Sequence, residues 1–179
     1  MDGAVRFQTR RHGAMGSARG EAACPRRTSH QVASSSARRR EIAVRAVRVA
    51  HNEVWAGSGA HQIGPAEWDA SIKRGAGCRA LSWVATFGRR VVGYAINSAA
   101  PIADGQTAGW TERLGVIPAW RGQGVATALL QRSARTFLEA GYVGAGVGFD
   151  TADPDLGESL YSALGYDLVD AVVAHTLTE

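Results

Sequence analysis

The chain holds 179 residues, 45% apolar and 20% charged, the proportions of an ordinary globular protein long enough for one domain with a real core. With only Cys24 and Cys78, no CxxC pair, no signal peptide and no apolar run of ~18 residues, the sequence predicts a reduced, soluble, cytoplasmic protein that does not cross a membrane. Its net charge of +4 is uneven: residues 1–40 carry nine arginines against Asp2 and Glu21, net +7, whereas residues 41–179 carry eleven basic and fourteen acidic side chains, net −3.

In residues 1–40 the apolar side chains Val5, Phe7, Met15 and Val32 recur at no regular period and are too few to offset the entropy of ordering. The segment reads as a disordered Arg/Ser/Gly-rich tail. It has no amphipathic stripe of the transit-peptide kind, and Arg38-Arg39-Arg40 lacks interleaved aromatic residues that would stack on bases, so no nucleic-acid partner is expected.

From Glu41 to Trp55, Val44, Val47, Ala50 and Val54 recur at the helical period, and Gly57-Ser58-Gly59 ends the run. Gly64-Pro65-Ala66-Glu67 starts a second, short helix, with proline in the first turn and an acid near the positive end of the dipole. Leu81–Phe87 and Val91–Ile96 read as antiparallel strands joined by a tight turn at Gly88-Arg89-Arg90. Thr107–Val116 is a further strand, stopped by Pro118, since proline cannot donate to a ladder. Val125, Leu129, Leu130, Ala134, Phe137 and Leu138 form the apolar stripe of a helix closed by Gly141. In the strand Val143–Phe149 apolar residues alternate with Gly144, Gly146 and Gly148, which leaves one face bare and implies a close approach there. Leu156, Leu160, Ala163 and Leu164 give a last helix before Gly165, and Tyr166–Leu177 returns to strand composition. Strands flanking single helices predict an α+β or α/β domain over residues 41–179.

The chemistry concentrates where the third predicted strand passes through Arg121-Gly122-Gln123-Gly124 into the helix that starts near Val125. The first N–H groups of a helix lack partners and sit at the positive end of its dipole, so the N–H groups of residues 122–127 form an anion cradle suited to a pyrophosphate. No Lys-Ser or Lys-Thr follows the turn, which excludes a nucleoside-triphosphate P-loop, and Gly144-Ala-Gly-Val-Gly is followed by Phe149, which fails the dinucleotide fingerprint. His51, His61 and His175 have neither ligand spacing nor a nearby cysteine pair, and no metal is implied.

Arg121-Gly-Gln-Gly124-Val-Ala126, preceded by Leu114-Gly-Val116, resembles the R/Q-x-x-G-x-G/A pyrophosphate loop of the Gcn5-related N-acetyltransferase (GNAT) family. Downstream, Leu160-Tyr161-Ser-Ala-Leu-Gly165-Tyr166 is similar to the family's L-Y-x-x-x-G-F/Y element, with Asp153 where the family usually places Asn. Asn52 to Trp55, Trp68 and the run Gly148 to Asp153 resemble single domains of tandem members such as mycothiol synthases.

The resemblance implies a three-layer α/β/α fold around a mixed, mostly antiparallel sheet with splayed central strands, and direct attack of an amine on the thioester of acetyl-coenzyme A. The implied coenzyme contacts are Leu114, Gly115, Val116, Arg121, Gly122, Gln123, Gly124, Val125, Ala126, Thr127, Asp153 and Tyr161. Pantetheine would slot between the splayed strands against the bare glycine face. The Val116 N–H would meet the oxyanion. Tyr161, off the apolar stripe of its helix, would protonate the departing thiolate. Glu112, sharing the facing of Leu114 and Val116, would serve as general base, with Asp150 ranked below it. The acceptor would be an amine of a small molecule or peptide, in a pocket walled by Trp55, His61 and Trp68. A degenerate domain that binds acyl-coenzyme A or a partner protein without turnover is the alternative. The family opens with a strand before its first helix, and residues 1–40 show no strand period, so a missing first strand would leave a sheet edge open to homodimerisation or to a second GNAT domain.

Overall fold

The computed structural model describes residues 2–9, 37–56, 62–74, 80–150 and 158–174. Cys24, Cys78, His61 and Asp153 lie outside these residues. The elements run β1 (Asp2–Thr9), α1 (Ala37–Val54), α2 (Pro65–Arg74), β2 (Trp83–Phe87), β3 (Arg90–Pro101), β4 (Thr107–Val116), α3 (Val125–Glu139), β5 (Ala145–Asp150), α4 (Glu158–Ala163) and β6 (Tyr166–Ala174). One six-stranded sheet has the order β2-β3-β4-β5-β1-β6. All its neighbours are antiparallel except β4 and β5, which are parallel. This is the mixed α+β sheet expected.

β1 differs from the tail expected over residues 1–40. It inserts between β5 and β6 and pairs with both, with Val5 opposite Phe149 and Phe7 opposite Val147. Backbone ladders on two sides hold a segment too poor in apolar residues to show a strand period. α1 likewise begins at Ala37, inside the expected tail. The strand does not sit beside β2, whose one neighbour among the described residues is β3.

Alternation along β3 divides the core in two. Ala95 and Ala99 join Leu129, Leu130 and Phe137 of α3, together with Leu114, Val147, Tyr161 and Tyr166. Val92, Tyr94 and Ile96 face the other way, onto Ala50 and Val54 of α1 and Trp68 of α2. Burying a side chain such as Leu130 or Phe137 contributes about 1.5–3 kcal/mol. Leu138, expected in the α3 stripe, is 64% exposed; one step past Phe137 the helix has turned ~100° away from the sheet. The α3 packing is pinned by polar bonds as well. Asn97 Nδ2 donates to Leu81 O at 2.6 Å and to Ser133 Oγ at 2.8 Å, and Trp83 Nε1 donates to Thr136 Oγ1 at 3.0 Å. α3 ends where Gly141, at φ 77°, donates to Leu138 O and Tyr142 to Phe137 O. No helix among the described residues is long and apolar enough to cross a membrane.

Candidate active site

β4 and β5 pair only at Gly109–Ala145, Trp110–Gly146 and Thr111–Val147, and from residue 112 onward β4 has no strand partner on that side among the described residues. The cause is local. Across β3, Ile96 lies opposite Arg113 and Asn97 opposite Thr111, so Glu112 is an extra residue in β4, a β-bulge that bends the strand and breaks the ladder. Beyond the bulge the pairing with β3 continues as Ala95–Leu114, Tyr94–Gly115 and Gly93–Val116.

The bond from Ile117 N to Val92 O at 3.0 Å fixes the phase of that ladder. Gly93–Val116 is a non-hydrogen-bonded pair and Tyr94–Gly115 a hydrogen-bonded one. The N–H and C=O of Leu114 and Val116 therefore point away from β3, into the fork that β5 has left. An extended ligand could add there as a strand.

At the mouth of the fork β4 passes through a 3-10 turn, Pro118–Trp120, to α3. Gly122 and Gly124 have φ 69° and 77°, left-handed values that favour glycine. A side chain at either would meet nothing within 4 Å, so the glycines serve the turn rather than a crowded contact. Gly124 is the N-cap of α3, no side chain caps the helix, and its first turn holds no acid. Its leading N–H groups thus face a cleft of about 350 Å³ whose walls include Gly115, Val116, Gly124, Ala126 and Leu160. This suits an anion. Thr127 and Val125 line the same cleft, whereas Gln123 turns back to cap Ala119 O at 3.0 Å. Arg121 also points inward: Nε donates to Val116 O and Nη2 to Val54 O, each at 3.2 Å. It clamps the loop to the ends of β4 and α1, a role that its motif position did not show.

Three expectations change. Glu112 does not share the facing of Leu114 and Val116. Leu114 belongs to the α3 core, whereas Glu112 accepts a hydrogen bond from Ser98 Oγ, and Ser98 alternates with Asn97 onto the α1 and α2 face; the bulge resets the alternation. Tyr161 is not off the apolar stripe. It is fully buried, in the cluster that holds Leu114 of β4 and Val147 of β5, edge-on to Tyr166 at 6.1 Å. The bare glycine face of β5 is covered by Trp110, since a Cβ on Gly146 would lie 2.1 Å from its Cζ3. That indole, rather than a ligand, makes the close approach.

The structure also assembles a group that sequence reading passed over. His51 Nδ1 lies 2.7 Å from the Tyr94 hydroxyl, and its ring stands 4.9 Å from Trp68 and 6.4 Å from Trp55. Burial, with the Arg113 guanidinium second, pushes the His51 pKa down to about 4, and burial raises the Tyr94 phenol well above its ordinary range. Both are neutral near pH 7, so a single proton bridges Nδ1 and the hydroxyl, and the imidazole tautomer sets which of the two donates. Arg113 rests over Trp68 at 5.4 Å. Trp55 and Trp68, which the sequence suggests as part of an acceptor wall, both lie against His51. The bond across 43 residues had no local signal.

A forked mixed sheet with an uncapped, glycine-shaped helix start at its mouth defines an acetyltransferase-type α+β domain. The chain belongs to the GNAT family: the profile described as "Acetyltransferase (GNAT) domain" matches residues 79–168, half of the chain. No curated protein matches it. Solved structures similar to it include a GCN5-related N-acetyltransferase from Sphaerobacter thermophilus, 17% identical, with a TM-score of 0.63 over 95% of this chain and 49% of that one. An aminoglycoside acetyltransferase from an uncultured soil metagenomic sample is 16% identical, with a TM-score of 0.58 over 75% of this chain and 86% of that one. Aminoglycoside N-acetyltransferase AAC(6')-Iy in complex with CoA is 18% identical, with a TM-score of 0.55 over 76% and 90%. The chain thus spans about half the length of the first of these.

Proposed function

We propose that the chain transfers an acyl group, acetyl by default, from acetyl-coenzyme A to an amine of a small molecule or peptide, by direct attack in a ternary complex. The observation that carries this is the fork itself: the outward N–H and C=O groups of Leu114 and Val116 stand beside the uncapped start of α3. The N–H groups of residues 122–127 hold the pyrophosphate, and the edge of β4 pairs with the pantetheine amides. Because Arg121 already occupies the Val116 carbonyl, the Val116 N–H is left to polarise the thioester carbonyl, the kind of donor whose removal costs about 10²–10³ in rate.

Glu112 faces the α1 and α2 side with Ser98 and takes the proton of the attacking amine. Tyr161, buried in the cluster that holds Leu114 and Val147, gives a proton to the departing thiolate once the coenzyme opens that cluster. The aminoglycoside acetyltransferases among the similar structures support a small-molecule amine as acceptor.

Isothermal titration with acetyl-coenzyme A, followed by thiol release against a panel of amines, tests the proposal. Binding with turnover supports it. Binding without turnover on any amine replaces it with the acyl-coenzyme A binding module, a reading favoured by the burial of Tyr161. An absence of binding removes the coenzyme assignment altogether.

A further inference from the structure

We propose that the His51–Tyr94 pair is a positioning device for the Val116 N–H: it fixes the Gly115–Val116 peptide in the orientation that meets charge developing on the thioester oxygen. This rests on the reading of that N–H as the oxyanion donor and deepens it.

A planar trans peptide points its C=O and its N–H in opposite directions. The C=O of Gly115 pairs with the Tyr94 N–H across the hydrogen-bonded pair of the ladder, so the Val116 N–H on the far edge of the same peptide is aimed into the fork. Tyr94 then holds this peptide a second time, with its side chain. A Cβ on Gly115 would lie 2.6 Å from the Tyr94 oxygen and from Cζ, so the end of the phenol ring occupies the space a side chain would take.

The ring is itself fixed at its tip. His51 Nδ1 stands 2.7 Å from the hydroxyl, and the Trp55 side chain bonds to the same phenol. His51 in turn packs against Trp68, which is 1% exposed, with the rings tilted at 44° and their centroids 4.9 Å apart. The chain of contacts therefore runs from α2 through α1 and β3 to one peptide of β4. Phenylalanine at 94 would fill the same volume. The hydroxyl and the imidazole add desolvation cost rather than apolar packing, and what they contribute is orientation, which an oxyanion site requires before reaction begins.

The test needs no acceptor substrate. Acetyl-coenzyme A labelled with ¹³C at the thioester carbonyl is bound to the wild type, Tyr94→Phe, His51→Ala and His51→Asn, and the carbonyl stretch is read by isotope-edited infrared difference. The wild-type band moves to lower frequency on binding. Much of that displacement is lost in Tyr94→Phe and His51→Ala, and it returns in His51→Asn, whose amide can donate to or accept from the hydroxyl in place of Nδ1. Affinity for the coenzyme stays unchanged in all four, because the phosphate loop is untouched. With any amine that turns over, kcat falls ~10-fold in the first two variants, a fraction of what losing an oxyanion donor costs, at constant KM for acetyl-coenzyme A.

Displacement as large in Tyr94→Phe and His51→Ala as in the wild type overturns the positioning role while leaving the proposed function standing. A wild-type band at the frequency of the free thioester, or no binding at all, overturns the oxyanion-donor reading and this inference with it. Should Tyr94→Phe not fold, the comparison of His51→Ala with His51→Asn, at a half-buried position, decides alone.

Discussion

Acidification offers a quantitative check on the environment of His51. The unfolded chain protonates this imidazole near pH 6.5, whereas burial and Arg113 hold the folded form down to about 4. As pH falls below 6.5 the unfolded state takes up the proton first, so this group's stability is fully present above 6.5 and is lost as pH drops toward 4. At 1.36 kcal/mol per pH unit the gap sets an upper bound of ~3 kcal/mol, and solvent screening of a half-exposed ring brings it to ~1.5 kcal/mol. For a chain of this size that corresponds to ~3–6 °C in melting temperature. Thermal melts of the wild type and His51→Asn, from pH 7.5 to pH 4, provide the assay. Carboxylates contribute equally to both, so the difference between the two curves isolates residue 51. The wild type is expected to lose ~3–6 °C more than the variant over that range. Parallel curves would mean that His51 protonates at its ordinary pH and that its packing against Tyr94 and Trp68 is looser than the structure shows.

Two further outcomes follow from glycines with opposite roles. Gly124→Trp places a large side chain at the left-handed N-cap of α3, beside the cleft; it is expected to abolish the stabilisation by acetyl-coenzyme A in a thermal-shift assay while the far-UV spectrum stays folded, and an unchanged shift would remove the phosphate-loop assignment. Gly146→Ala drives a methyl to 2.1 Å from Trp110 and is expected to lower stability in urea by ~2 kcal/mol, with part of the loss recovered in the double variant Gly146→Ala/Trp110→Leu; a single variant as stable as the wild type would show that the indole does not lie on the glycine face.

The parts of the fold legible in the sequence are those bounded by residues whose backbone chemistry is special. β4 was read as Thr107–Val116 because Pro118 stops it, and the start of α3 at Val125 because Gly122 and Gly124 supply φ values that other residues avoid. The phosphate loop was legible for the same reason. What escaped notice depends on contacts distant in sequence. Nothing near Gly146 announces Trp110, 36 positions earlier, as the group covering it. A bare strand face says that something approaches, and not what. Helical phase puts Tyr161 off the apolar stripe, but a helix of 6 residues is too short for phase to decide against the pull of the Leu114 and Val147 cluster. β1 escaped because a strand paired on both sides needs backbone partners more than an apolar stripe.

The bulge at Glu112 is the least legible feature and the one on which the site depends most. In an unbroken β4, Thr111, Arg113 and Gly115 would share one face and Glu112, Leu114 and Val116 the other, which is the alternation that sequence reading assumed. The extra residue reverses the phase beyond it. Thr111 stays on the α3 side with its partner Asn97, and Leu114 returns to that side to close the core. Gly115 is thereby brought beneath Tyr94 on the α1 side. Pairing the same residues with no bulge would set Leu114 opposite Tyr94 and put its side chain where the phenol ring lies, a clash that costs a repacked core. The same irregularity ends the pairing with β5 after Thr111 and opens the fork. One residue thus accounts both for the gap that would admit the coenzyme and for the glycine that lets Tyr94 settle against the peptide bearing the Val116 N–H.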